Sequence, residues 1–472
     1  MSRNPWNTPQ PAVMSTPVAL ISSTAFSLGG VPASLAVVEL GLLVATDHTE
    51  PMTLLWADIL GAVVMENQLI VYTCAPKASG QRILSKFTIS SGQPELLESF
   101  AVATRYLARY PWDTTRTLNE ILQTETPDRR CLVLINPVGG SGAAERMFQD
   151  VRGFFDAAGI HIKIQLTEHA AHATEIAQTL DLTAFDFVVC VGGDGLASEV
   201  VQGLIRRSDW HDAIRFPIGL IPGGSGNGLT QSLTKLVNEA FFPENCAYLI
   251  VKGSPQPMDM MTARNDHETF LSFLSLAWAF VADVDLESET YRLLGGARFT
   301  VSAVAKVLSW KRWHGALSYL PAADDEPTPT QYWDALPASG DAPALDLLPP
   351  LAGPLPASWK TIEGPFTFFW ATSAAAPSSD CHLAPGAHVN DGYIHVVAVP
   401  ENLSLVTQAK ILLALDSATH LEYPQVVRIK TRAYQLRRTD TNFVSIDGER
   451  FGGSTIQVQM HRGLGRVMCL PY

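Results

Sequence analysis

The sequence has few cysteines, and none of them stands at a spacing typical of a zinc site or a disulfide framework. Its 472 residues include six cysteines, which are scattered and form no Cys-x-x-Cys pair. This pattern argues against a disulfide-rich secreted fold and favours a reducing compartment. We therefore expect a cytoplasmic protein.

Basic residues and long apolar runs are also scarce. Lysine and arginine number 33 against 46 acidic residues, which gives a formal net charge of −13 at pH 7. Proteins that bind nucleic acid usually present a basic face, so no nucleic-acid partner is expected. The longest apolar runs, 31–45 and 270–282, are shorter than the roughly 20 residues that cross a bilayer, and no signal-peptide pattern is visible. Any contact with an internal or plasma membrane is expected to be peripheral.

The first part of the chain predicts a small β-rich module. Residues 1–22 are rich in Pro, Ser and Thr and are expected to form a disordered arm. From 23 to 112, short β-rich runs precede one amphipathic helix, an outline typical of a pleckstrin-homology-like module. The helix is expected to use Ser90 or Ser91 as its cap and Pro94 in its first turn. Its apolar stripe is Leu96, Phe100, Ala103 and Leu107.

Residues 128–262 repeat the pattern strand, glycine turn, helix. The segments 132–135, 162–166, 185–191 and 218–221 predict strands, of which 132–135 and 185–191 are expected to be buried, and amphipathic helices are expected after the first and third of them. This alternation is typical of a doubly wound α/β domain, in which the ligand lies outside the carboxyl ends of the strands.

Residues 263–472 predict an antiparallel β-sandwich. The expected strands are 270–280, 366–372, 393–399, 425–430, 434–437, 443–446 and 456–460, with turns at Asp391-Gly392 and Asp447-Gly448. Between 321 and 358 the chain is crowded with Pro, Ala, Asp and Gly without periodicity. We interpret this segment as a flexible insertion rather than a folded element.

Three glycine-rich turns follow three of the predicted α/β strands. They are Asn136-Pro137-Val138-Gly139-Gly140-Ser141-Gly142, Gly192-Gly193-Asp194-Gly195 and Gly223-Gly224-Ser225-Gly226-Asn227. Glycine allows positive φ angles, so several amides can approach one anion, and a helix that begins just after the turn adds its dipole. The three turns together predict a nucleotide phosphate site.

Asp194, in the middle turn, is the candidate catalytic residue. In this position its carboxylate would orient a hydroxyl for in-line attack and accept its proton late in a loose phosphoryl transfer. The alternative is a capping aspartate at the start of a helix. No Walker A lysine or His-Arg-Asp triplet accompanies the turns. Arg292 and Arg298 are therefore candidate phosphate contacts, although a run of mixed charge is also typical of a solvated helix face.

Two other clusters allow competing interpretations. Cys381, His382, His388 and Asp391 could suggest a metal site, but their spacing matches no metal motif, and a loop leading into a hairpin is simpler. Trp310 and Trp313 flank two basic residues. That grouping fits either a lipid headgroup interface or packing at a helix end.

The glycine turns, Thr167-Glu168 with His172-Ala173, and above all the run 276–289, Leu-Ala-Trp-Ala-Phe-Val-Ala-Asp-Val-Asp-Leu-Glu-Ser-Glu, resemble those of the sphingosine kinases. The resemblance covers about residues 130–320 and returns at 384–399 and 447–449. Related turns occur in diacylglycerol and ceramide kinases and, more remotely, in NAD kinases. The arm, module and insertion are similar to those of longer fungal or plant members.

This resemblance implies a kinase that uses ATP and Mg²⁺ to phosphorylate the primary hydroxyl of a sphingoid long-chain base, with Asp194 as general base. Asp285 and Glu289 would meet the polar head of the lipid, while no metal ligands are implied. The residues implied around ATP are Asn136, Gly139, Gly140, Gly142, Thr167, Gly192, Gly193, Gly195, Glu199, Gly224, Ser225, Gly226, Asn227, Arg292, Arg298, Gly448 and Glu449.

Some features depart from the family or leave alternatives open. Val138 and Ser141 replace basic residues of animal members, so fewer cationic contacts to phosphate are expected there. A diacylglycerol or ceramide kinase, and an inert regulator that binds nucleotide and lipid, remain alternatives. The preferred base, the mode of membrane recruitment and the oligomeric state, including a homodimer, are also open.

Overall fold

The computed structural model describes residues 19–110, 116–124, 126–140, 142–224, 226–283, 313–323, 325–335, 340–378, 381–439 and 443–472. The first part of the chain forms one antiparallel sheet followed by helices. Its elements are β1 (Ile21–Leu28), β2 (Val31–Val38), β3 (Gly41–Thr46), β4 (Thr49–Leu55), β5 (Ile59–Met65), β6 (Gln68–Thr73), β7 (Ser85–Ser90), α1 (Pro94–Arg109) and α2 (Leu118–Gln123). The strand order is β4-β3-β2-β1-β7-β6-β5.

The predicted helix is confirmed as α1, but its cap differs. Gln93 is the N-cap and Pro94 the first helical residue. Ser90 ends β7, and the Ser91 hydroxyl instead accepts the amide of Gln93 at 3.2 Å and donates to Ala25. The stripe packs as expected against β5 and β6, with its central residue Phe100 fully buried.

The next segment forms a parallel sheet covered by helices, as the alternating pattern predicts. Its elements are β8 (Arg129–Ile135), α3 (Ala144–Ala157), β9 (Ile160–Leu166), α4 (His172–Thr179), β10 (Phe187–Gly192), α5 (Asp194–Ile205), α6 (Trp210–Ala213), β11 (Ile218–Pro222), α7 (Gly228–Leu236) and α8 (Pro243–Lys252). The strands lie in the order β9-β8-β10-β11. The chain order therefore reverses between β8 and β10, which is where open α/β sheets bind ligands.

The remaining elements are mostly antiparallel. They are β12 (Ser254–Arg264), β13 (Thr269–Ser272), β14 (Ser275–Ala279), β15 (Trp313–Pro321), β16 (Lys360–Phe366), β17 (Phe368–Thr372), β18 (Ile394–Val399), α9 (Leu405–Leu413), β19 (Val427–Arg438), β20 (Val444–Ile446), β21 (Glu449–Phe451), β22 (Thr455–Cys469), and 3-10 helices at Tyr332–Asp334 and Thr419–Glu422. The long strand β22 pairs with β12 and β19 and also, in parallel, with β11. One hydrogen-bonded sheet thus joins the parallel strands β8–β11 to the antiparallel strands that follow.

Two predicted strand boundaries in this half are wrong. The run 270–280 is split into β13 and β14, because the amides of Phe273 and Leu274 donate to the carboxylate of Asp447 instead of to a neighbouring strand. Conversely, the two runs at 425–430 and 434–437 form the single strand β19. Trp313 begins β15 and is buried in the apolar core, which fits neither of the two alternatives given for it, a lipid headgroup interface or packing at a helix end; Trp310 lies outside the described residues.

The proline-rich segment 321–358 is packed on the body, which contradicts its interpretation as an insertion without folded contacts. Gln457 donates to the carbonyl of Pro349 at 3.0 Å, and Gln459 donates to that of Ala344 at 3.0 Å. Trp333 donates to the Leu464 carbonyl at 2.9 Å and packs beside Trp210. The backbone carbonyls of Pro349 and Ala344 accept hydrogen bonds from residues more than a hundred positions away, and such contacts need no periodic sequence pattern in the segment. We call the described part of this segment the strap.

The amino-terminal sheet docks on α8 through buried charges. The guanidinium of Arg82 forms two hydrogen bonds to Glu239, at 2.6 and 3.0 Å, and one to Asp58 at 2.9 Å. The same group lies 3.6 Å from the ring centroid of Tyr248. The Lys252 ammonium donates to the carbonyls of Trp56, Ile59 and Ala108. The amino-terminal module is therefore fixed to the α/β half by paired ions and carbonyl contacts.

Candidate active site

The three glycine turns converge at the carboxyl ends of β8, β10 and β11. The amide of Gly223 donates to the carbonyl of Gly192 at 2.8 Å. A Cβ atom on Gly224 would lie 2.2 Å from the Cα of Gly193, and one on Gly140 would lie 2.5 Å from the Gly223 carbonyl oxygen. Backbone contact this close accepts no side chain, so glycine is needed here for packing between turns. The structure thus brings together the turns that the sequence separates.

Several amides of these turns already have acceptors within the protein. Asn136 accepts the Val138 amide at 3.1 Å, and the Gly142 amide donates to the Gly139 carbonyl at 3.0 Å. The Gly224 amide donates to the side chain of Asn227 at 3.0 Å, while Asn227 donates back to the Gly224 carbonyl. Asn227 itself is buried with φ 53° and therefore shapes the third turn. The expected cradle of free amides is not formed by Val138, Gly142 or Gly224 in this conformation.

Asp194 is the first residue of α5 and lies against the start of α7. Its carboxylate accepts the amide of Gly228 at 2.7 Å and that of Leu229 at 3.2 Å. Burial raises the pKa of Asp194 to about 6, although these hydrogen bonds lower it. The residue thus caps a neighbouring helix rather than its own. A carboxylate with a pKa of about 6 is also a better proton acceptor than an ordinary aspartate and is still ionised at pH 7.

The second turn leaves room beside Asp194. A Cβ atom on Gly195 would meet nothing within 4 Å, whereas one on Gly226 would lie 3.4 Å from a carboxylate oxygen of Asp194. Glycine at 195 is therefore not required by contacts within the protein. Open space at the residue that follows a candidate base could admit a ligand.

Thr167 and Glu199 each bind a backbone group outside the glycine turns. The Thr167 amide donates to the Ile135 carbonyl at 2.9 Å, which fixes the chain where β8 and β9 end. Glu199, on α5, accepts the amide of Ala173 at 3.1 Å, at the start of α4. Thr167 therefore positions the end of β8, while Glu199 joins α5 to the start of α4.

Asp447 is a further candidate site residue, which the sequence placed in a turn and in the segment 447–449 of the family resemblance, but without a role of its own. Its carboxylate accepts the Ser272 hydroxyl at 2.7 Å and the Ser275 amide at 2.9 Å, besides the two amides between β13 and β14. Burial raises the pKa of Asp447 to about 6, and the negative charge of Asp194 adds to this rise. The next residues, Gly448 with φ 88° and Glu449 at the start of β21, complete the turn. The sandwich thus brings a second carboxylate into the field of Asp194.

Other predicted site residues cannot be placed. Ser225, Asp285, Glu289, Arg292 and Arg298 lie outside the described residues.

The cluster at Cys381 has contacts of a loop rather than of a metal site. Asp391 accepts from His395 at 2.8 Å and from the His388 amide at 3.2 Å, while Cys381 is buried among apolar side chains. Among described residues, His169, His172 and Glu175 do form a group that could hold a metal ion. However, the Nδ1 atom of His172 accepts the Glu168 amide at 3.0 Å.

Two family models match separate segments of the chain. Residues 130–263 match the diacylglycerol kinase catalytic domain, and residues 367–469 match the YegS C-terminal NAD kinase beta sandwich-like domain. A solved diacylglycerol kinase from Bacillus anthracis aligns with a TM-score of 0.50 at 17% identity, covering 74% of this chain and 99% of that one. At this identity the likeness shows the fold alone. Fold and matched domains define a lipid kinase of the diacylglycerol-kinase-like class.

More similar relatives narrow this class. The chain is 30% identical over 384 residues to sphingosine kinase 2 of Arabidopsis thaliana, covering 80% of this chain and 78% of that protein. It is 35% identical to sphingosine kinase 1 of Rattus norvegicus, with 70% and 88% covered. It is 26% identical to sphingoid long chain base kinase 4 of Schizosaccharomyces pombe, with 72% and 75% covered. The chain belongs to the sphingosine kinase family.

Proposed function

We propose that this protein transfers the γ-phosphoryl group of ATP to the primary hydroxyl of a sphingoid long-chain base, with Asp194 as the general base. The observation that carries the proposal is the position of Asp194, at the junction of the glycine turns, beside open space and with a raised pKa. Family membership supplies the substrate class, since the similar relatives are named sphingosine kinases.

The reaction needs a hydroxyl aligned with the γ-phosphorus. As the new oxygen–phosphorus bond forms and ADP leaves, the hydroxyl proton passes to the Asp194 carboxylate. The amides of Gly228 and Leu229 keep that carboxylate in place during the transfer. The turns and the start of α5 then provide backbone dipoles near the phosphates.

Mg²⁺ fits the charges at this edge of the sheet. Asp194 and Asp447 are like charges whose interaction contributes to the raised pKa of Asp447, and a divalent cation would relieve this repulsion. Carboxylate oxygens are also the ligands that Mg²⁺ prefers. Bound with ATP, the ion would offset charge that develops on the phosphoryl oxygens. The carboxylate of Asp447 is the side chain proposed to face it, which leaves the carboxylate of Asp194 to accept the proton.

The lipid contacts are proposed from the family pattern. Asp285 would pair with the ammonium group of the base, with Glu289 nearby, and Arg292 and Arg298 would contact phosphate. A carboxylate partner distinguishes a cationic base from neutral diacylglycerol by charge. This pairing supports a sphingoid base over diacylglycerol or ceramide as the acceptor.

Two further proposals concern the fold of the amino-terminal module and the location of the protein in the cell. Seven antiparallel strands followed by α1 support a pleckstrin-homology-like module over residues 23–112. No helix among the described residues has the length and apolar character needed to cross a bilayer. We propose a cytoplasmic enzyme that meets internal or plasma membranes peripherally. Sedimentation velocity tests whether it forms a homodimer.

The direct test is incubation with labelled ATP, Mg²⁺ and a panel of sphingosine, dihydrosphingosine, phytosphingosine, ceramide and diacylglycerol. Asp194→Asn should lower kcat on the preferred base by about a hundredfold or more, with nucleotide binding retained. Phosphorylation of diacylglycerol or ceramide alone would select the alternative kinases. ATP binding without transfer to any of the lipids would favour the inert regulator.

A further inference from the structure

Helix α9 presents apolar side chains to solvent on the face opposite to its packing contacts. Leu413 is 80% exposed, more than any other large apolar side chain of the described residues, and Val406 is 65% exposed. Ser404 caps the helix by accepting the Thr407 amide at 3.2 Å, so the helix has a defined start. These exposed side chains therefore belong to an ordered element.

The exposed residues form a single stripe that contains one cation. Val406, Lys410 and Leu413 are separated by four and three positions, a spacing that places them on one helix face. Lys410 is exposed like its two neighbours. A basic group between apolar side chains is typical of helices that lie in a membrane interface, where the chain stem stays with the apolar side chains and the ammonium reaches the headgroups.

The opposite face of α9 packs on the sandwich against residues that precede the proposed lipid contacts in the sequence. Ile411 and Leu415 are buried in one apolar cluster with Ala277 and Val281. Val281 lies four residues before Asp285, the proposed partner of the lipid headgroup. The end of α9 is also fixed to the sandwich, because the His382 amide donates to the Leu415 carbonyl at 2.9 Å. A membrane that contacts the stripe would thus lie on one face of α9, with Ala277 and Val281 on the opposite face.

We propose that Val406, Lys410 and Leu413 form a membrane-docking surface that lays α9 in the headgroup region of a bilayer. The proposal rests on the proposed function only for its choice of ligand, since a membrane holds the lipid substrate. The net charge of −13 disfavours nonspecific attraction to anionic lipid, so a local apolar contact is needed to hold the protein there. Lys410 adds a contact to anionic phosphate headgroups.

The test uses the full chain and vesicles of phosphatidylcholine, with or without phosphatidylserine, in a sedimentation assay. The double variant Val406→Ser, Leu413→Ser should lower the partition coefficient by about tenfold or more on both vesicles, because two exposed apolar side chains lose their insertion. Lys410→Gln should weaken binding about fivefold on vesicles with phosphatidylserine only. The matched control is Leu40→Ser, Met65→Ser, which removes side chains that are 57% and 58% exposed on the first sheet. It should bind like wild type.

Kinase activity on substrate in detergent micelles separates this proposal from the proposed function. The α9 variant should keep wild-type turnover there, because none of its changed residues belongs to the active site. Unchanged vesicle binding in the α9 variant would overturn the proposed membrane-docking surface, and so would an equal loss of binding in the control. The same holds if the α9 variant loses a dimer but still binds vesicles. Vesicle binding that depends on α9 in a protein without sphingoid base kinase activity would uphold the surface and refute the function.

Discussion

Buried charge is handled differently where the amino-terminal module docks and where the glycine turns meet. At the contact between the amino-terminal module and the α/β half, Arg82 lies between Glu239 and Asp58, so opposite charges are paired. At the turns, Asp194 and Asp447 are like charges held by backbone amides and one hydroxyl. The paired ions around Arg82 form a structural contact. The two carboxylates at the turns have no cation beside them among the described residues and can bind a proton, a cation or a cationic substrate. The difference distinguishes an attachment from an active site.

The largest effect is expected when the paired charges are broken. Arg82→Leu leaves Glu239 and Asp58 without their cation, and Glu239 is only 12% exposed. The free energy of unfolding should fall by about 3–5 kcal/mol, as measured by denaturant titration. The matched control is Arg105→Leu, which breaks an exposed pair with Glu98 and should cost less than about 1 kcal/mol. Equal losses in the two variants would remove the distinction between buried and exposed pairs.

The strap is attached largely through its backbone carbonyls, and a smaller effect is expected there. Replacing residues 340–350 by a short Gly/Ser linker removes the carbonyls that Gln457, Gln459 and Trp210 bind. The loss of these hydrogen bonds should lower the free energy of unfolding by about 2–3 kcal/mol. Thermal unfolding measures the change. An unchanged melting temperature would restore the interpretation of 321–358 as a flexible insertion.

A comparable or smaller effect is expected at the proposed lipid carboxylate. Asp285→Asn should raise KM for the sphingoid base by an amount equivalent to about 1.5–3 kcal/mol, because the ammonium loses its charged partner. KM for ATP should stay close to that of wild type, and selectivity over diacylglycerol should shrink. Steady-state kinetics with both lipids measures this. An effect on ATP alone would assign Asp285 to the nucleotide side.

Local sequence signals predicted the parallel half of the fold well. Each glycine turn directly follows its strand, so the convergence near Asp194 follows from the geometry of parallel sheets. The contacts that were missed join distant residues. Arg82 meets Glu239 157 positions away, and Ser272 meets Asp447 175 positions away. No local periodicity encodes such pairs, and a proline-rich composition does not reveal that Gln457 will bind the carbonyl of Pro349.

The interpretation of the turn at Asp447-Gly448 shows the same limit. The dipeptide predicted a turn, and the structure confirms one between β20 and β21. It did not reveal that the Asp447 side chain would hold the break between β13 and β14. Only the folded structure brings the carboxylate of Asp447 near enough to Asp194 for the charge of one to act on the other.

Asp194, with its pKa raised to about 6, is proposed to accept the substrate proton. The most direct measurement is kcat for the sphingoid base as a function of pH in the wild type and in Asp194→Asn. Below pH 6 the carboxyl becomes protonated, so wild-type kcat should fall about tenfold per pH unit, while the residual activity of Asp194→Asn should lack this limb. A wild-type profile that is flat from pH 5 to pH 8, or the same limb in both proteins, would contradict Asp194 as the general base.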